Sequence, residues 1–114
     1  EQHWVRLTSE GNYSFDTNVL STGAVVRIQG PHWLAKQLTV NTSGSSVIPD
    51  TQLNNGDVDG DNEVALTDFG LLSAAFGTVP GDAAWNRRAD LDGDREVGLS
   101  DFGILSANFG ELGD

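Results

Sequence analysis

The stretch "DVDGDNEVALTD", residues 57–68, sets four aspartates and a glutamate around one glycine and one asparagine. At neutral pH these carboxylates repel one another, and each costs more when it is even partly withdrawn from water. A turn of this composition folds when something positive belongs inside it. The pattern returns as "DLDGDREVGLSD", residues 90–101, at an offset of 33 positions. Ten of the 17 acidic residues lie in these two segments, so the acidity is local. The remainder of the chain has an ordinary charge balance.

The spacing points to a divalent cation. Calcium prefers roughly six to eight oxygen ligands from carboxylates, carbonyls and water on a flexible turn. A loop of the EF-hand kind supplies side-chain oxygens from its first, third and fifth positions, a carbonyl from its seventh and an acid from its twelfth. In the first loop these are Asp57, Asp59 and Asp61, the carbonyl of Glu63, and Asp68. In the second they are Asp90, Asp92 and Asp94, the carbonyl of Glu96, and Asp101. The ninth positions, Ala65 and Gly98, bring no side-chain oxygen, so a water is expected there. Two Ca²⁺ ions, each adding two charges, would move the formal total from −11 to −7. Magnesium demands a tighter octahedron and fewer protein oxygens.

The sixth loop position favours glycine, because the turn there needs φ > 0. Asn62 tolerates that conformation, whereas Arg95 carries a penalty on the order of 1 kcal/mol. Val64 and Val97 hold the eighth places, where paired loops are expected to meet through a short β-bridge.

Each loop leads into an apolar segment. Leu66, Phe69, Leu72 and Phe76, and likewise Leu99, Phe102, Leu105 and Phe109, recur at helical steps and predict one apolar stripe per helix. Asp68 and Asp101 fall near the helix starts, and Gly77 and Gly110 at the stops. The connector "TVPGDAAWNRR", residues 78–88, has room for a short helix in "DAAWNRR".

Before residue 54 the composition differs. "HWVRLT", "NYSFD", "AVVRIQG", "KQLTVNT" and "SSVIPD" alternate apolar and polar residues between turn signals, which predicts four or five strands of a small sheet or sandwich. Tyr13 with Phe15, Val26 with Ile28, and Leu38 with Val40 are expected to face its core. The fold class is therefore α+β in two parts: a β-rich domain over residues 1–53, Ig-like or a partial sandwich, and an all-α pair of calcium loop–helix motifs over 56–114.

The totals narrow the function. A net charge of −11 argues against nucleic acid and anionic membranes as partners. The chain has no cysteine, hence no disulfide framework, and no apolar run long enough to span a membrane. It begins at Glu1 and contains no methionine, which reads as a processed protein or a piece of a longer one. "QHWV" and "PHWL" suggest a sugar-stacking platform, but a half-buried Trp beside an exposed His is the simpler reading, so carbohydrate is possible without being supported. Paired acid–base or nucleophilic chemistry finds no candidates outside the committed carboxylates. The chain reads as non-enzymatic.

Two loops that each close on aspartate and lead into one helix resemble the type I dockerin, a duplicated calcium-binding module. "GDVDGDNEV" and "DLDGDREV" are similar to its loop motif, over residues 56–111. The resemblance implies a non-catalytic, extracellular or cell-surface bacterial protein that attaches to a cohesin-like partner. It implies recognition residues at the tenth and eleventh loop positions, Leu66-Thr67 and Leu99-Ser100. A second class of function follows from the short N-terminal sheet, whose open edges invite strand exchange between copies. In that case the protein is a self-assembling extracellular filament subunit stabilised by Ca²⁺.

Overall fold

Each helix begins where an acidic loop ends. α1 spans Leu66–Ala75 and α2 spans Leu99–Asn108, and the extended residues before them, Ala65 and Gly98, offer no capping side chain. The twelfth loop residue caps instead. Asp68 Oδ2 accepts from the Ala65 N–H at 2.7 Å, and Asp101 Oδ2 from the Gly98 N–H at 2.7 Å. Each carboxylate also lies at the end of the helix dipole that favours negative charge. Gly77 and Gly110 stop the helices with φ of +78° and +87°, the left-handed conformation that glycine adopts without steric cost.

The computed structural model describes residues 24–40 and 51–114. Strands β1 (Ala24–Ile28) and β2 (Lys36–Val40) pair into a two-stranded sheet. They coincide with "AVVRIQG" and "KQLTVNT", and Val26, Ile28, Leu38 and Val40 are the half-buried positions of the alternation. The other three expected strands, with Tyr13 and Phe15, lie outside the described residues. Among the described residues a small sheet and two helices are present, which is compatible with the α+β class.

The chain separates into two compact units, Glu1–Val26 with Leu38–Pro49, and Arg27–Gln37 with Asp50–Asp114. A sequence division near residue 53 does not anticipate that residues 27–37 pack with the acidic half. Backbone hydrogen bonds explain it: the Leu34 N–H donates to Asn54 O at 2.8 Å, and the Gly56 and Asp57 N–H groups donate to His32 O at 3.0 and 3.1 Å. Trp33 and Asn55 form an antiparallel bridge. This strap seats Leu34 in the core of the second unit.

That core is drawn from loops as much as from helices. Val58 and Val64 come from the first loop, Leu91 and Val97 from the second, and Leu72 and Leu105 from the two helices. The expected stripes are therefore buried only at their inner positions. Leu66 and Leu99 are 73 % and 78 % exposed, and Phe76 and Phe109 are exposed as well. Phe69 and Phe102 meet edge to face with ring centroids 5.8 Å apart.

The eighth positions correct a second expectation. Val64 and Val97 do not bridge the loops to each other. The Val64 N–H donates to Glu111 O at 2.9 Å and Val64 O accepts from Gly110 at 2.7 Å, while Val97 makes the matching pair with Thr78 (3.0 Å) and Gly77 (2.7 Å). Each helix has ten residues, about 15 Å of rise, and carries the chain from its own loop to the other one. The chain after α1 thus closes on the second loop, and the chain after α2 on the first. Residues 82–88 form turns rather than a short helix, with the Trp85 N–H donating to Asp82 O at 3.1 Å and the Ala89 N–H to Asn86 O at 3.0 Å.

Candidate metal centre

Both acidic loops are wound by the same hydrogen bonds. Asp57 accepts from the N–H groups of Gly60 (2.7 Å) and Asn62 (3.0 Å), and Asp90 accepts from those of Gly93 (2.8 Å) and Arg95 (3.0 Å). Asp59 and Asp61 accept from the N–H two residues on, and so do Asp92 and Asp94. Asp68 Oδ1 accepts from the Asp59 N–H at 3.0 Å, and Asp101 Oδ1 from the Asp92 N–H at 3.1 Å. The turn needs φ > 0 at its sixth residue, where Asn62 and Arg95 lie at 73° and 71°. The strain expected of Arg95 is thus present.

In the second loop, carboxylate oxygens of Asp90, Asp92, Asp94 and Asp101 all lie within 4.8 Å of one another. In the first loop the same closeness unites Asp57, Asp59 and Asp61. Asp68 is outside that set, with its oxygens held by Asp59 and Ala65. Calcium–oxygen bonds of about 2.3–2.6 Å put ligands on opposite sides of the ion nearly 5 Å apart. The oxygens therefore converge at a spacing that fits a calcium sphere. Glu63 and Glu96 are exposed and take the seventh places.

The electrostatics differ between the buried and the exposed carboxylates. Asp57, Asp68, Asp90 and Asp101 are buried. Burial pushes the Asp57 carboxyl above its ordinary value, and the nearby charges of Asp68 and Asp61 add to this, against the N–H groups of Asn62 and Gly60. At Asp59 burial works the same way, but hydrogen bonds from the Asp61 N–H and the Thr67 hydroxyl together hold it below the usual range. Asp92 is lowered chiefly by the Ser100 hydroxyl and then by the Asp94 N–H. At Asp57 a hard cation would relieve what the backbone N–H groups relieve only in part.

Leu66, Thr67, Leu99 and Ser100, the implied recognition residues, are all exposed at the helix starts. Asn62, noted in the sequence only for its turn, and Asn55 make contacts that no sequence signal announced. Asn62 Oδ1 accepts from the Ala35 N–H at 2.7 Å, and its Nδ2 donates to Asp114 O at 3.2 Å. Buried Asn55 donates to Leu91 O at 2.7 Å, lies 2.7 Å from His32 Nδ1, and its carbonyl accepts from Asn108 Nδ2 at 2.9 Å. His32 is therefore half-buried and bonded rather than exposed. His3 and Trp4 lie outside the described residues.

A duplicated loop–helix unit with converging carboxylates is the architecture of a paired calcium-loop module. Residues 55–109 match the model of the dockerin type I domain, and this part of the chain is a type I dockerin-like module. Modules of this kind are non-catalytic, bind calcium and attach to other proteins. Similar folds occur in crystal structures of two interface mutants, one N-terminal and one C-terminal, of a type II cohesin–X–dockerin complex from Acetivibrio cellulolyticus. Each is 24 % identical, with a TM-score of 0.71, covering 93 % of this chain and 73 % of the other. No curated protein matches the chain. Among the described residues no helix is long and apolar enough to cross a membrane.

Proposed function

We propose that this chain is a non-catalytic extracellular or cell-surface attachment protein whose two loops each hold one Ca²⁺. The ligands are Asp57, Asp59, Asp61, Asp68 and the Glu63 carbonyl in one site, and Asp90, Asp92, Asp94, Asp101 and the Glu96 carbonyl in the other. The observation that carries this reading is the repetition of one hydrogen-bond pattern in two loops 33 residues apart. The β-rich segments before residue 54, apart from residues 27–37, which pack with the acidic half, serve as a neighbour of the docking module.

The partner is a cohesin-like domain, met by the exposed starts of the two helices. Leu66 and Leu99 leave most of their surface in water, which a monomer gains nothing from and a partner covers. The likeness to chains from a cohesin–X–dockerin complex supports this choice of partner. The test is binding of the calcium-loaded chain to immobilised type I and type II cohesins. Binding is expected in calcium, is lost in chelator, and is abolished by Leu66→Asp with Leu99→Asp at unchanged calcium stoichiometry. Failure to bind any cohesin, with helix content intact, would remove the partner from the reading. Large calcium-dependent assemblies in light scattering would favour self-association in its place.

A further inference from the structure

Three of the six basic residues of this acidic chain, Arg87, Arg88 and Arg95, line one cleft with His32 and half-buried Trp85. The cleft lies beside the second loop, shares Asp90 with it, and has a volume of about 650 Å³. That is within the roughly 300–1,000 Å³ of small-molecule sites. The simple explanation for arginines near acidic loops is neutralisation of those loops. That neutralisation is at long range, since among the described residues the Arg87 and Arg95 side chains make no ion pair and no hydrogen bond. Arg88 donates through Nη2 to the Pro31 carbonyl, and its buried Nε–H has no partner. The guanidiniums are thus gathered around the cleft without being spent on the carboxylates.

Trp85 packs against the core, so its ring is held in place as a wall of the cleft. Such a ring accepts the flat face of another ring, and guanidiniums beside it accept a planar carboxylate through paired N–H donors. The neighbouring loop limits the charge of the ligand. A phosphate dianion would feel the repulsion of Asp90 and its loop twice over, a carboxylate only once. Arg95 has a further bearing on this, because its backbone is held at φ 71° where glycine would be unstrained. The side chain that occupies this costly position is one that lines the cleft.

We propose that this cleft binds a small carboxylate carried on a ring, with the ring against Trp85 and the carboxylate between Arg87 and Arg95. Uronic sugars and aromatic acids share that chemistry. Titration calorimetry on the full chain in saturating calcium would compare digalacturonate, benzoate, neutral galactobiose and inorganic phosphate. Saturable binding of digalacturonate or benzoate is expected, and which of the two binds tells a sugar acid from an aromatic one. Arg87→Gln with Arg95→Gln should weaken it about tenfold or more, while helix content and calcium stoichiometry stay as they were. Absence of binding by both carboxylates would overturn the proposal. So would equal affinity for galactobiose, tighter binding of phosphate, or an unchanged affinity in the double variant.

Discussion

Two residues at equivalent places in the duplicated loops separate what the local turn demands from what the surrounding fold adds. Asn62 and Arg95 have the same left-handed backbone, with φ of 73° and 71°. Arg95 holds no hydrogen bond by its side chain among the described residues. Arg95→Gly should therefore stabilise the calcium-loaded protein by about 0.5–1 kcal/mol, the relief of strain less the added freedom of the unfolded chain. Asn62→Gly should do the reverse. It strips the acceptor from the Ala35 N–H, on a buried residue, at a cost of about 1–3 kcal/mol. Thermal melts of the two variants in calcium test the pair, and equal shifts of one sign would show that backbone strain alone governs both. At the first loop position the prediction concerns the ion. Asp57→Ala and Asp90→Ala should each reduce titrated stoichiometry from about two Ca²⁺ per chain to about one. Retention of both sites in either variant would show that the first-position carboxylate is dispensable.

The helices show how much an amphipathic pattern can say. Apolar residues at steps of three and four correctly place α1 and α2, but they do not reveal which part of the stripe finds cover. Leu72 and Leu105 are fully buried, whereas Leu66 and Leu99 stand in water. Substitution to alanine should separate them. Leu72→Ala or Leu105→Ala should cost about 2–5 kcal/mol through lost contacts and a cavity, and Leu66→Ala or Leu99→Ala no more than about 0.5 kcal/mol. Chemical denaturation in calcium would measure both, and equal losses at inner and outer positions would contradict the packing. The loops were the most legible elements, because a turn wound by its own aspartates is local and its spacing is written directly in twelve residues. The crossed closure of Val64 and Val97 was not legible. It depends on where ten residues of helix deliver the chain, which periodicity does not encode. The bonds of Asn62 to Ala35 and Asp114 span 27 and 52 residues, and nothing near Asn62 announces either.

At the scale of the whole molecule, the strap of residues 32–35 changes what removal of calcium should do. Its residues are none of the candidate ligands, so a direct response of this strap to chelator is not required by coordination. Yet His32 O accepts from Gly56 and Asp57, Leu34 donates to Asn54, and Ala35 accepts from Asp114 while donating to Asn62. Two of these partners, Asp57 and Asn62, belong to the first loop itself. Without an ion that loop holds four carboxylates against one another, two of them buried. Ion binding then appears as folding free energy, about 2.7 kcal/mol for each site filled at a hundred times its dissociation constant. Chelation should lower helix content and melting temperature, and it should release the Leu34 and Ala35 amides together with those of Asp59–Glu63. Hydrogen exchange on the full chain, in calcium and in chelator, makes the comparison. If the loop amides exchange freely while Leu34 and Ala35 stay protected, the strap is held by the apolar seat of Leu34 alone, and the coupling between calcium and this N-terminal segment is absent. If they open together, calcium binding sets the order of a segment that contributes nothing to its coordination.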